Sequence, residues 1–125
     1  SLIDGAIRGI DMFDSVLPTR IARKGTLMTS KGRIVITNSK YKNDFSLIDP
    51  ETEDYGSQNF TKAYLHHLFK ADELYAQNIA SVHNLRYLLK LMEDMRQAIA
   101  EDRLLEFREE VMENYGYKNP NARLF

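Results

Sequence analysis

From Tyr64 to Val111 apolar residues return at three- and four-residue spacing, which commits the second half of the chain to helices that each bury one side. Tyr64, Leu65, Leu68 and Phe69 make one such run. Leu85, Leu88, Leu89, Met92, Met95 and Ile99 make a stripe about four turns long, for which core packing is the ordinary role. A final helix is expected from about Asp102 to Tyr115, with Leu104, Leu105, Phe107 and Val111 on one flank and Gly116 as its left-handed stop.

The first half reads differently. Leu2 to Arg8 suits the tail of a helix whose start looks cut, stopped by Gly9. Ile10 to Val16 alternates in part and predicts a short buried strand, ended at Pro18, with a basic turn running on to Gly25. Thr26 to Thr29 and Arg33 to Thr37 are β-prone runs separated by Ser30, Lys31 and Gly32, a hairpin signal. Residues 43 to 59 hold Asn43, Asp44, Asp49, Pro50, Gly56 and Asn59 without a usable period and predict a long loop, of a length that calls for a functional or metal-linked explanation.

At 125 residues with 43% hydrophobic and 28% charged side chains, the chain has the composition of one soluble globular unit. It is too short for a complete eight-fold barrel, which takes roughly 250 residues. The absence of cysteine excludes disulfides, thiolate metal sites and cysteine nucleophiles. No apolar run approaches the ~20 residues needed to span a bilayer, so a cytoplasmic location without membrane contact is expected.

The overall charge of −1 conceals an asymmetry. Residues 15 to 45 carry Arg20, Arg23, Lys24, Lys31, Arg33, Lys40 and Lys42 against Asp44 alone, a local excess of +6 beside −7 in the remainder. Such a field attracts polyanions; a solvated basic loop is the plainer reading of the same residues.

The run Gly9 to Arg20 places carboxylates at the end of an apolar segment beside a Pro-terminated turn with Arg20 and Arg23. In parallel α/β sheets and barrels, the carboxyl ends of strands are where reacting groups sit. Asp11 and Asp14 are three apart, so a strand would point them to opposite faces, leaving Asp14, nearer the end, as the candidate base or nucleophile. A structural role capping the turn or pairing with Arg20 fits the same pattern.

In order and without shifts of spacing, the run Gly9 to Arg23, Gly25, the Arg33 to Lys40 strand, Asp49-Pro50, Tyr64-Leu65-His66-His67-Leu68, His83-Asn84-Leu85, the Leu89 to Ile99 stripe and Glu106-Phe107-Arg108-Glu109-Glu110 resemble the C-terminal third of bacterial tRNA-guanine transglycosylases. The resemblance implies an α/β fold, the last portion of a (β/α)8 TIM barrel. Residues 1–20 would give the end of a helix and the last strand, 21–80 an insertion like the family's zinc-binding subdomain, and 81–125 the closing helices. It implies an enzyme that exchanges the wobble guanine of tRNAs with a GUN anticodon for a queuine-type 7-deazaguanine base, on the route to queuosine. Asp14 matches the family's covalent nucleophile, and Arg20, Arg23 and Lys24 lie where the family contacts the anticodon loop. A homodimer is implied too, consistent with apolar faces at Leu85, Leu88 and Met92 that need cover.

Two departures matter. Where the family carries Cys-x-Cys-x-x-Cys and a helix His around a structural zinc, this sequence has Thr52, Asp54 and Ser57, with only His83 retained. Hydroxyls and one carboxylate do not replace three thiolates, so no stable metal site and no cofactor are expected, and His83 is expected to be an ordinary hydrogen-bonded helix histidine. Ser15 likewise stands where the family usually has Cys. The family enzymes are also much longer, with the base-reading and acid–base groups upstream of Ser1. The sequence is therefore expected to be a segment that does not turn over by itself. The competing reading is a non-catalytic tRNA-binding or dimerisation module derived from such an enzyme.

Overall fold

The computed structural model describes residues 2–115; Gly116 and its expected role lie outside them. Helix α1 spans Leu2–Ile7, and Gly9 follows at φ +92°, the left-handed stop expected of it. Residues 10–16 then form no strand, contrary to the sequence pattern. A strand needs a hydrogen-bonding neighbour, and the described residues hold one sheet of only two strands, both further along the chain. Ile10 and Val16 are therefore exposed and Met12 almost fully so.

The basic turn is instead a helix, α2 (Leu17–Arg23), with Pro18 in its first turn. Proline belongs there because the N–H it lacks has no intrahelical partner, and its fixed φ is already helical. Ser15 Oγ accepts from the Leu17 amide at 3.1 Å, and Arg20 and Arg23 sit in the last turn, where the helix dipole favours cations. Gly25, at φ +89°, closes the helix and turns the chain into the hairpin.

Strands β1 (Thr26–Thr29) and β2 (Gly32–Val35) pair antiparallel, with Met28 opposite Arg33 and Thr29 opposite Gly32. The Thr29 hydroxyl donates to the Gly32 carbonyl at 2.6 Å, and the Asp49 carboxylate accepts from both the amide and hydroxyl of Ser30, so the turn is held from two sides. The second strand ends before Thr37 because the chain turns at Asn38, whose side chain caps a 3-10 turn at Ser39–Tyr41.

The expected loop 43–59 contains helix α3 (Tyr55–Asn59), started by Asp54, whose side chain accepts from the Ser57 amide. Helix α4 (Lys62–Lys70) has Thr61 as its cap. Helix α5 (Leu74–Ala100) runs straight through the boundary at residue 80, and α6 (Leu104–Asn114) begins two residues later than expected because Asp102, at φ +53°, makes the turn between them.

Two apolar clusters lie along α5. One gathers Leu27, Ile36, Leu65, Leu68, Ile79 and neighbours around its N-terminal part; the other gathers Ile3, Leu91, Met95, Phe107, Val111 and Met112 around its C-terminal part. The face α5 buries coincides only in part with the expected apolar stripe, sharing Met95 and the half-buried Leu88 and Met92 with it. Leu85, Leu89 and Ile99 are exposed and Leu88 and Met92 only half-buried, whereas His83, Asn84, Tyr87, Leu91 and Met95 point inward. The two polar residues can do so because every polar group they carry finds a partner.

Candidate active site

Asn84 fixes the floor of the site. Its side chain is fully buried, accepting from the Met28 amide at 2.9 Å and donating to the carbonyls of Pro18 at 2.9 Å and Thr26 at 3.1 Å. The preceding residue, His83, donates from Nε2 to the Met28 carbonyl at 2.7 Å. One dipeptide of α5 thus ties down the start of α2 and the outer edge of β1.

Above this floor opens a cleft of about 430 Å³. Leu2, Phe13, Leu85, Leu88 and Met92 give it apolar walls, Pro18 and Met28 line it from α2 and β1, and Asp14 and Ser15 stand at its rim. Asp14 is exposed and, among the described residues, is joined by no ion pair to Arg20 or Arg23. The structural pairing with Arg20 is therefore not formed. Asp11 is exposed and does not line the cleft. An accessible carboxylate against an apolar wall has the chemistry of a nucleophile or base: the wall seats a flat, weakly polar group and leaves the oxygen free to attack it.

Next to the cleft, α2 presents Arg20 and Arg23 with Lys24 just beyond its end, followed by Lys31 and Arg33 on the hairpin and Lys40 and Lys42 at the 3-10 turn. All seven are exposed, and none forms an ion pair among the described residues. Lys40 lies 5.1 Å from the centre of the Tyr41 ring. Cations left without protein carboxylates keep their charge available for an external anion.

The positions assigned by resemblance to zinc ligands do converge in part, as hydrogen-bonding partners. His83 Nδ1 is 2.5 Å from Ser57 Oγ and 3.3 Å from Asp54 Oδ1. Thr52 turns away and donates to Asp49 Oδ2 at 2.7 Å. Burial raises the Asp54 carboxyl, but hydrogen bonds from the His83 and Ser57 side chains and the Ser57 amide outweigh it and hold the group below its usual range. This donor set does not fit zinc: two ligands of a tetrahedral ion stand about 3.3 Å apart, given bonds near 2.0 Å, whereas Ser57 and His83 are in direct contact. Among the described residues no group of three or more His, Cys, Asp or Glu is placed to hold a metal. Nor is the trio a hydrolytic triad, since Ser57 and Asp54 address the same ring nitrogen and the other is committed to Met28.

Of these residues, Asn84 and Met28 were not singled out by sequence reasoning as part of any site; a buried Asn beside a His within an otherwise apolar helix run was the available signal.

A profile of the queuine tRNA-ribosyltransferase family matches residues 1–117. The chain belongs to this family. Similar proteins named queuine tRNA-ribosyltransferase occur in Geobacillus kaustophilus and in Lactococcus lactis subsp. cremoris, each 59% identical over 125 residues, and in Geobacillus thermodenitrificans at 58%. In each case the match takes in 100% of this chain and 33% of the relative. The chain therefore spans about a third of the length of the curated relatives it matches, and corresponds to their C-terminal part. As a queuine tRNA-ribosyltransferase segment it is mixed helix and strand, with its small sheet confined to the hairpin. No helix among the described residues is long and apolar enough to cross a membrane.

Proposed function

We propose that this chain is the nucleophile-bearing portion of a cytoplasmic tRNA-guanine transglycosylase, and that Asp14 is the nucleophile. In the complete protein the upstream part closes a (β/α)8 barrel with residues 10–16 as its last strand, covering the apolar wall of Leu85, Leu88 and Met92. The largely exposed segment before Pro18 supports this, because it carries a strand's alternation without a strand's neighbour.

The chemistry needs two displacements at one carbon. The Asp14 carboxylate attacks the anomeric ribose carbon of the wobble nucleotide; the bond to guanine N9 breaks, and guanine leaves with its electron pair and takes up a proton. The nitrogen of a queuine-type 7-deazaguanine base, having given up its proton, then attacks the same carbon and expels Asp14, restoring the original configuration. Arg20, Arg23 and Lys24 hold the anticodon loop of a GUN-anticodon tRNA through phosphate and base contacts, the work for which guanidinium groups suit best.

The observation that carries this reading is the unpaired Asp14 at the rim of an apolar cleft whose lining includes the start of α2, the helix that carries the unpaired Arg20 and Arg23. Its test is guanine exchange into tRNA by the full-length protein, with Asp14→Asn expected to abolish exchange and the covalent tRNA adduct while leaving tRNA binding in place. Full exchange by Asp14→Asn would return the chain to the role of a non-catalytic tRNA-binding module.

A homodimer belongs to the same proposal. Half-buried Phe60 stacks edge-on with exposed Tyr55 and Tyr75 and lies 5.1 Å from the exposed Tyr64 ring. Clustered exposed rings of this kind suit a second copy of the chain. Light scattering on the full-length protein tests it, with a strict monomer as the contrary result.

A further inference from the structure

We propose that Asp54, Ser57 and His83 form a metal-independent clasp, and that this protein holds the junction of α3, α5 and β1 without zinc. Three observations carry the proposal. The first is saturation. His83 Nε2–H is given to the Met28 carbonyl, and Nδ1 lies within hydrogen-bond distance of both the Ser57 hydroxyl and Asp54 Oδ1. Asp54 Oδ2 takes the Ser57 amide at 3.1 Å, and Thr52 is bonded to Asp49, so no oxygen or nitrogen of the set is left waiting for a cation.

The second is distance. Direct contact between Ser57 and His83 fills the space where an ion would stand. The third is burial. His83 and Ser57 are completely enclosed and Asp54 and Thr52 nearly so, so the network sits in an interior where satisfied hydrogen bonds are strong and water does not compete. The clasp links three elements distant in sequence: α3 through Asp54 and Ser57, α5 through His83, and β1 through Met28.

The test is made on the full-length protein, without any exchange assay, so its outcome is independent of catalysis. Zinc is measured by elemental analysis after purification, and the melting temperature is read with and without a strong chelator. Less than about a tenth of a zinc per chain and an unchanged melting temperature are expected, since a structural zinc would contribute directly to folding. About one zinc per chain, or a melting temperature lowered by chelator, overturns the proposal. A second arm uses Ser57→Ala, expected to lower the melting temperature by about 2 °C or more, equally with and without chelator. An unchanged melting temperature would show that the hydroxyl clasps nothing.

Discussion

Asn84 reaches across 66 residues of sequence to hold the carbonyl of Pro18, 2.9 Å from its amide nitrogen, while its oxygen accepts from the amide of Met28. Both Pro18 and Met28 line the Asp14 cleft, so one buried amide sets the separation of two of its walls. Asn84→Ala strands the Met28 N–H and the Pro18 and Thr26 carbonyls together, and is expected to cost about 3 kcal/mol. Denaturant unfolding measures it; a loss below about 1 kcal/mol would mean that water replaces the amide.

Gly56 lies in α3 where it crosses α5. A Cβ there would stand 2.9 Å from Ile79 Cγ2 and 3.3 Å from an Asp54 oxygen. Gly56→Ala is accordingly expected to destabilise by about 1–3 kcal/mol despite alanine's better helix propensity. The double variant with Ile79→Ala, which removes the opposing Cγ2 methyl, checks the cause, because relief of the clash should make the pair less damaging than the sum.

Tyr87 faces Tyr115 between α5 and α6, and burial pushes its hydroxyl up from 10.0 to about 12; the hydrogen bond with Tyr115 opposes this, and the Asp49 and Asp94 charges add to it. Tyr115 is shifted upward as well, chiefly by burial. The folded state thus favours the neutral phenol more than the unfolded chain does. This contribution is complete below pH 10 and disappears as pH rises through about 12. Stability measured across that range should fall, and Tyr87→Phe should flatten the fall; an identical profile would place the titrating group elsewhere.

For tRNA binding by the full-length protein, Arg20→Ala and Arg23→Ala should each weaken binding and reduce the slope of log K against log salt by about 0.7 for every single-strand phosphate that the variant no longer neutralises. Filter binding at several salt concentrations reads this directly. Neither residue has a protein ion-pair partner to lose among the described residues, so the melting temperature should stay unchanged.

What the sequence disclosed tracks how local the causes are. The Ser30-Lys31-Gly32 turn and the Tyr64, Leu65, Leu68 and Phe69 spacing act within a few residues, and the hairpin and α4 stand where these patterns place them. Helix α2 was hidden because Pro18 and a cluster of cations read as a turn, although proline in a first turn followed by Arg suits a helix. The strand expected over residues 10–16 failed because pairing is supplied by neighbours, not by alternation. On α5 the period was correct, and the buried side was so only in part, at Leu88, Met92 and Met95. Leu85 and Leu89 form a plausible stripe, and only the tertiary partners Met28, Pro18 and Ser57 explain why His83 and Asn84 turn inward instead. Asp14 was legible as a candidate, and the cleft beside it was not, since Leu2, Met28 and Leu88 come from three separate elements.

The outer rim of β1 has a last consequence. With the Thr26 carbonyl and both backbone groups of Met28 already engaged by α5, a passing extended chain finds nothing there to zip onto. Any widening of the hairpin is confined to the Gly32–Val35 side, and a chain that accumulated as fibrils would first have to peel β1 away from its helix.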